Sequence, residues 1–195
     1  MSSAPSSASL PARVGRPLDL LVIHCTATPN GRWTSTLDID YWHRQRGFAR
    51  PPSGRARLNP DLSAIGYHWV IYANGACATG RSAEEAGAHA KGVNHRSLGL
   101  ALVGTDHFTR QQWEALADHV GFLCGKYGVP ARLAEGANGY TGICGHRELP
   151  GVAKECPGFS VADWIAGGMK PLAGHVLEVG GPSTSLRTNG LGGQS

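Results

Sequence analysis

Apolar positions along the chain fall into short blocks separated by turn residues. Leu18 to His24 is a nearly unbroken apolar run and predicts a buried strand. Thr34 and Ser35 then offer caps for a helix that carries Leu37, Tyr41 and Trp42 and stops near Gly47. Pro51, Pro52, Ser53, Gly54 and Asn59-Pro60 predict a long loop. Tyr67 to Tyr72 alternates as a strand. Asn74-Gly75 predicts a two-residue hairpin turn, because both positions must accept positive φ, and Ala76 to Thr79 returns. Leu98 to Val103 predicts another strand. Thr109-Arg110-Gln111-Gln112 forms a capping box for a helix with Trp113, Leu116, Val120 and Leu123 at helical spacing, stopped by Gly128 and Pro130. Gly142 to His146 reads as a short strand, and Ser160 caps a last short helix containing Trp164 and Ile165. No internal repeat is visible. The alternation predicts a single α/β domain, a central mixed β-sheet flanked by helices.

Composition narrows the class. The chain has 195 residues, enough for one full core, with 41% apolar and 16% charged residues, as in folded rather than disordered proteins. Residues 1–17, rich in Ser, Ala and Pro, read as a flexible leader. They contain no hydrophobic signal core, so synthesis in the cytoplasm without a signal peptide is expected. Residues 18–173 read as the domain and 174–195 as a Gly-rich tail. No run approaches 18 apolar residues, so no transmembrane segment is expected. Five Cys without regular spacing argue against a disulfide framework. A net charge of +4 does not call for a specific nucleic acid partner. Arg44, Arg46, Arg50, Arg55 and Arg57 nevertheless fall in one stretch without an intervening acid. That stretch is either a patch for an anionic polymer or a solvated loop.

The residue types that carry chemistry lie at strand ends. His24 closes the first apolar run. His146 follows Ile143 in a similar place, and Cys156 comes ten residues later, before Pro157. Two His and one Cys form the protein ligand set of a catalytic zinc with its fourth position open. Cys25 beside His24, and Cys144 two residues before His146, are rival ligands on this reasoning.

The chain resembles the zinc-dependent N-acetylmuramoyl-L-alanine amidases, the family that includes phage lysozyme-like amidases and peptidoglycan recognition proteins. The resemblance rests on blocks in the family's order: Val22-Ile23-His24-Cys25-Thr26-Ala27, Trp42-His43-Arg44 with Gly47-Phe48, Gly66-Tyr67-His68-Trp69, His89-Ala90-Lys91-Gly92-Val93-Asn94-His95, Leu98 to Gly104, and Gly145-His146-Arg147-Glu148 with Lys154-Glu155-Cys156-Pro157. It spans roughly residues 18–166. It implies Zn2+ held by His24, His146 and Cys156 in a surface cleft, with Cys25 and Cys144 as non-ligands. It implies catalytic roles for Tyr67 and Lys154, and substrate contacts for His89 and Asn94. The implied reaction is hydrolysis of the amide between N-acetylmuramic acid and L-alanine in peptidoglycan, as in a phage-type endolysin. The implied partners are peptidoglycan and its muropeptides. The expected form is a monomer with holin-dependent access to the cell wall. One departure from the pattern is the Arg-rich stretch Ala49 to Ile65, longer than usual for the family.

Overall fold

A computed structural model describes residues 14–178 of the chain. Most of the predicted leader and of the Gly-rich tail lies outside the described residues. Five strands form one sheet. Strand β1 (Leu20–Cys25) lies between β4 (Ser97–Leu102) and β5 (Gly142–Gly145), parallel to both. Strand β2 (Trp69–Ile71) runs parallel to β4, and β3 (Cys77–Thr79) pairs antiparallel with β2 at the edge. The order β3-β2-β4-β1-β5 makes the sheet mixed, as predicted.

All three helix caps read from the sequence form. Ser35 and Asp38 close a capping box on α1 (Thr36–Gln45), and Thr109 and Gln112 close another on α3 (Arg110–Tyr127). Gly128 ends α3 in the left-handed conformation, with φ 72°. Ser160 caps α4 (Val161–Ala166).

The two faces of β1 divide the core by the two-residue period. Leu21 and Ile23 pack with Leu98, Leu100 and Ile143 against Trp113, Leu116, Val120 and Leu123 of α3. Leu20, Val22 and Cys144 point the other way, and His24 continues that second face. Among the described residues no helix is long and apolar enough to cross a membrane.

Three local expectations need correction. The predicted Tyr67–Tyr72 strand begins two residues later, at Trp69. Tyr67 does not share a face with Trp69: it packs beside Val70 and Ile65, while Trp69 lies against the core under α3. The hairpin turn is longer than two residues, since Ile71 pairs Cys77 and Tyr72 donates to the Ala76 carbonyl. Only Gly75 takes positive φ (80°), and the Asn74 carboxamide instead accepts the Ala76 N–H. The predicted loop from Pro51 contains a helix, α2 (Pro52–Arg57), with Pro52 at its first turn. Its sequence has no apolar stripe, so periodicity was silent there.

The arginine stretch divides into two fates. The side chain of Arg50 is fully buried. It pairs with Glu85 at 3.1 and 2.6 Å and donates to the carbonyls of Gly54, Leu58, Asn59 and Leu62. Arg55 and Arg57 are exposed, bonding Pro60 O and pairing with Glu84. Gly54 is required where it stands, because a Cβ there would overlap the Glu85 carboxylate. Arg50→Met leaves the buried Glu85 carboxylate with only the Ser82 N–H at 3.4 Å and Arg81 at 3.9 Å, and takes a donor from four carbonyls. It is expected to cost about 3–5 kcal/mol, seen as a lower urea midpoint. An unchanged midpoint would show that the insert holds its shape without the pair.

Contacts also reach into the predicted ends. Arg16 donates to the carbonyls of Ala83, His95 and Ser97, and Val176 bridges to Phe108.

Candidate active site

Sheet register builds the site. Ile23 is the Cα partner of Gly145, so the next residue on each parallel strand, His24 and His146, emerges at the same edge of the sheet. Their ring centroids are 4.7 Å apart. His146 opens a single 3-10 turn ending at Glu148. The Glu148 carboxylate ties this turn down, accepting N–H groups from Gly145 at 2.8 Å and from Val161 at 2.7 Å at the start of α4. The chain then loops out and returns, with the Arg147 N–H donating to the Cys156 carbonyl at 2.7 Å. Pro157, joined to Cys156 by a cis peptide, sits against Gly145, where a Cβ would come within 2.8 Å of its Cδ.

The loop thus delivers Cys156 Sγ to 3.6 Å from His24 Nδ1. The ligand atoms of His24, His146 and Cys156 all lie within 4.8 Å of one another, a group able to hold a metal ion. The donor set suits zinc. Tetrahedral ligands at 2.0–2.1 Å for N and 2.3 Å for S stand about 3.6 Å apart, which the His24–Cys156 pair already matches. The rival cysteines play other parts. The Cys25 backbone N–H donates to Cys156 Sγ at 3.2 Å, and Cys144 is buried in the apolar layer with Leu20 and Val22.

Burial, with the neighbouring His146 and Lys154, holds His24 well below the usual imidazole range, and burial with Lys154 brings His146 down to about 4. Both rings are neutral near pH 7, as ligation requires. The Cys25 contact, then burial, push the Cys156 thiol up. A cation would draw off that proton.

Tyr67 and Lys154 complete the pocket. The Tyr67 ring centroid is 5.2 Å from that of His24 and 5.2 Å from that of His43. Burial raises its phenol above the ordinary range, so it is a donor near neutrality. Two residues of α1 aim this ring. Asp40 on α1 accepts N–H groups from Ala64 and Ile65 at 2.6 and 2.7 Å, and His43 Nδ1 accepts the Gly66 N–H at 2.8 Å. Lys154 is exposed and lines both the inner pocket and the groove outside it. His68 is structural: its Nδ1 accepts the Gly99 N–H at 2.9 Å and its Nε2 lies 3.0 Å from the Glu85 carbonyl.

The inner pocket, about 170 Å³, opens on a groove of about 540 Å³. Arg46, Lys91 and Lys154 line that groove, and among the described residues no acidic one does. His89 and Asn94 line it too, but their polar atoms face inward. His89 Nδ1 is 3.0 Å from His24 Nε2, and Asn94 Oδ1 accepts the backbone N–H groups of His89 and Ala90. Sequence reasoning did not single out Arg46, Phe48 and Lys91 as groove residues, although Phe48 and Lys91 stand in the quoted blocks and Arg46 in the arginine stretch.

Comparison with known proteins agrees with this geometry. A family model described as N-acetylmuramoyl-L-alanine amidase matches residues 14–159. The endolysin of Escherichia phage T7 is 29% identical over 154 residues, covering 75% of this chain and 84% of that protein. The solved structure of N-acetylmuramoyl-L-alanine amidase LysC from Clostridium intestinale URNW superposes with a TM-score of 0.57 at 26% identity, covering 80% of this chain and 87% of that one. Drosophila PGRP-LB shares the fold, with a TM-score of 0.55 at 23% identity over 89% of this chain and 93% of that one.

Proposed function

The chain belongs to the N-acetylmuramoyl-L-alanine amidase family, and on that premise we propose a zinc-dependent endolysin whose ion is held by His24, His146 and Cys156. The reaction is hydrolysis of the amide joining N-acetylmuramic acid to L-alanine in peptidoglycan. The observation that carries the zinc reading is the convergence of two neutral imidazoles and one thiol at the floor of a basic groove. Held there, zinc supplies Lewis-acid chemistry, acidifying water and polarising a carbonyl.

The chain's own groups do the rest. Arg46 and Lys91 attract the carboxylates of the stem peptide and orient it along the groove. Lys154 faces the scissile carbonyl and stabilises the negative charge that grows on its oxygen. Tyr67, kept protonated by burial, donates a hydrogen bond that positions the attacking water or the same oxygen. The protein acts as a monomer and reaches the wall through a membrane lesion of the holin type.

Muropeptide release from purified sacculi tests the roles. Lys154→Ala and Tyr67→Phe are each expected to lower the rate on the order of 10²–10³-fold while leaving zinc content unchanged. Rates equal to the parent's would remove both assignments. Mass analysis of the products must show free L-alanine amino termini. Cleavage elsewhere would overturn the bond assignment.

A further inference from the structure

We propose that His89 is a positioning residue that sets the tautomer of His24, so that Nδ1 faces the other two ligands without a proton. The inference rests on the metal reading of the site and deepens it. Nδ1 is the nitrogen of His24 turned toward Cys156 Sγ, at 3.6 Å. Ligation through Nδ1 leaves the ring proton on Nε2. That nitrogen points into the protein, on a side chain only 1% exposed, and His89 Nδ1 stands 3.0 Å away to accept its proton. The rings meet edge to face, at 82° with centroids 5.0 Å apart. His89 then carries its own proton on Nε2, which faces Ser97 Oγ at 3.5 Å. The chain of partners runs from the ligand to His89 to a buried hydroxyl on β4. Partners of this kind fix the orientation of metal-binding imidazoles.

The ring of His89 sits in a slot built for it. Gly99 on β4 presents bare backbone, and a Cβ there would come 2.6 Å from His89 Cδ2. Gly87 does the same from the other side, where a Cβ would overlap the ring. Asn94 Oδ1 holds the segment by accepting the N–H groups of His89 and Ala90, at 3.0 and 2.9 Å. With both ring nitrogens turned to protein partners, His89 has none left to offer a substrate in the groove. Asn94 likewise serves His89 rather than a muropeptide.

Ring ¹⁵N–¹H correlation spectra of the zinc-loaded full chain test this without any substitution. His24 and His89 are each expected to carry the proton on Nε2. A proton on His24 Nδ1 in the loaded protein would overturn the proposal while leaving the metal site standing. Competition with a chromophoric chelator gives a second readout. His89→Leu fills the slot without an acceptor and is expected to bind zinc 10–100-fold more weakly. His89→Gln restores an acceptor and is expected to recover most of that loss. Parental affinity in His89→Leu would also overturn the proposal. A wild-type chain that binds no zinc would instead overturn the metal reading beneath it, and this proposal with it.

Discussion

The Cys156→Ser protein is expected to release no measurable muropeptide from sacculi. The sulfur is one of the three proposed donors, and the loop that carries it is held by the Arg147–Cys156 backbone bond at 2.7 Å and by Pro157 against Gly145. Serine preserves that backbone and replaces a soft anionic ligand with a hydroxyl that stays protonated. Lewis-acid stabilisation is worth several kcal/mol, and each 1.36 kcal/mol is tenfold in rate, so the loss is on the order of 10³–10⁵. It should exceed the losses from Lys154→Ala and Tyr67→Phe, because those variants keep the ion. Chelation of the wild-type chain should reproduce the loss, and added zinc should reverse it. A bound ion also stabilises the fold by mass action, by about 4 kcal/mol at a thousandfold excess over Kd. Zinc should therefore raise the melting temperature of the parent and leave Cys156→Ser nearly unmoved. Full activity in the chelated parent would sink the metal assignment.

The metal-free protein is expected to lose about 6 kcal/mol of stability between pH 7 and pH 5. Burial, as the largest cause at each site, lowers His43 to about 4, His68 to about 3 and His146 to about 4. All three are buried. Their unfolded-state value is near 6.5, so the folded values are depressed. Below pH 6.5 the unfolded chain binds protons that the native chain refuses. Stability is thus fully present above about 6.5, falls as pH drops, and levels off only near the folded values. Each group contributes roughly 2 kcal/mol across that interval. His24 and His89 shift the same way and add to the effect. A loss of this size is comparable to the whole stability of a typical domain, about 5–15 kcal/mol. Urea titrations at pH 7, 6 and 5 should show the midpoint falling steeply at constant slope. A midpoint that does not move would mean that these imidazoles take up protons in the native state as readily as in the unfolded chain.

Much of this molecule was legible before folding. The apolar runs around Leu21, Leu100 and Ile143 became three adjacent parallel strands, because a run apolar on both faces can be satisfied only by burial between two layers. The caps at Ser35 and Thr109 formed because their donors and acceptors lie within one turn. Tyr67 was legible only in part. Its residue type was read, but its face was not, because the chain leaves strand pairing just where the phenol is aimed at His24. Helix α1 likewise kept its predicted span while turning Leu37 and Tyr41 to solvent and burying Asp40 and His43. The backbone N–H groups that Asp40 and His43 accept arrive from more than twenty residues away.

The order of residues along the chain was enough to establish the strands and the capped helices, since those depend on neighbours within a few positions. Only the assembled fold decided that Arg50 is a buried hub while Arg55 stays in water, and that His89 Nδ1 comes to 3.0 Å from His24 Nε2. In both cases the deciding partner is remote: Glu85 lies 35 residues from Arg50, and His24 lies 65 from His89. A side chain's charge state and role follow from what surrounds it, and no local pattern records which distant strand will supply the surroundings.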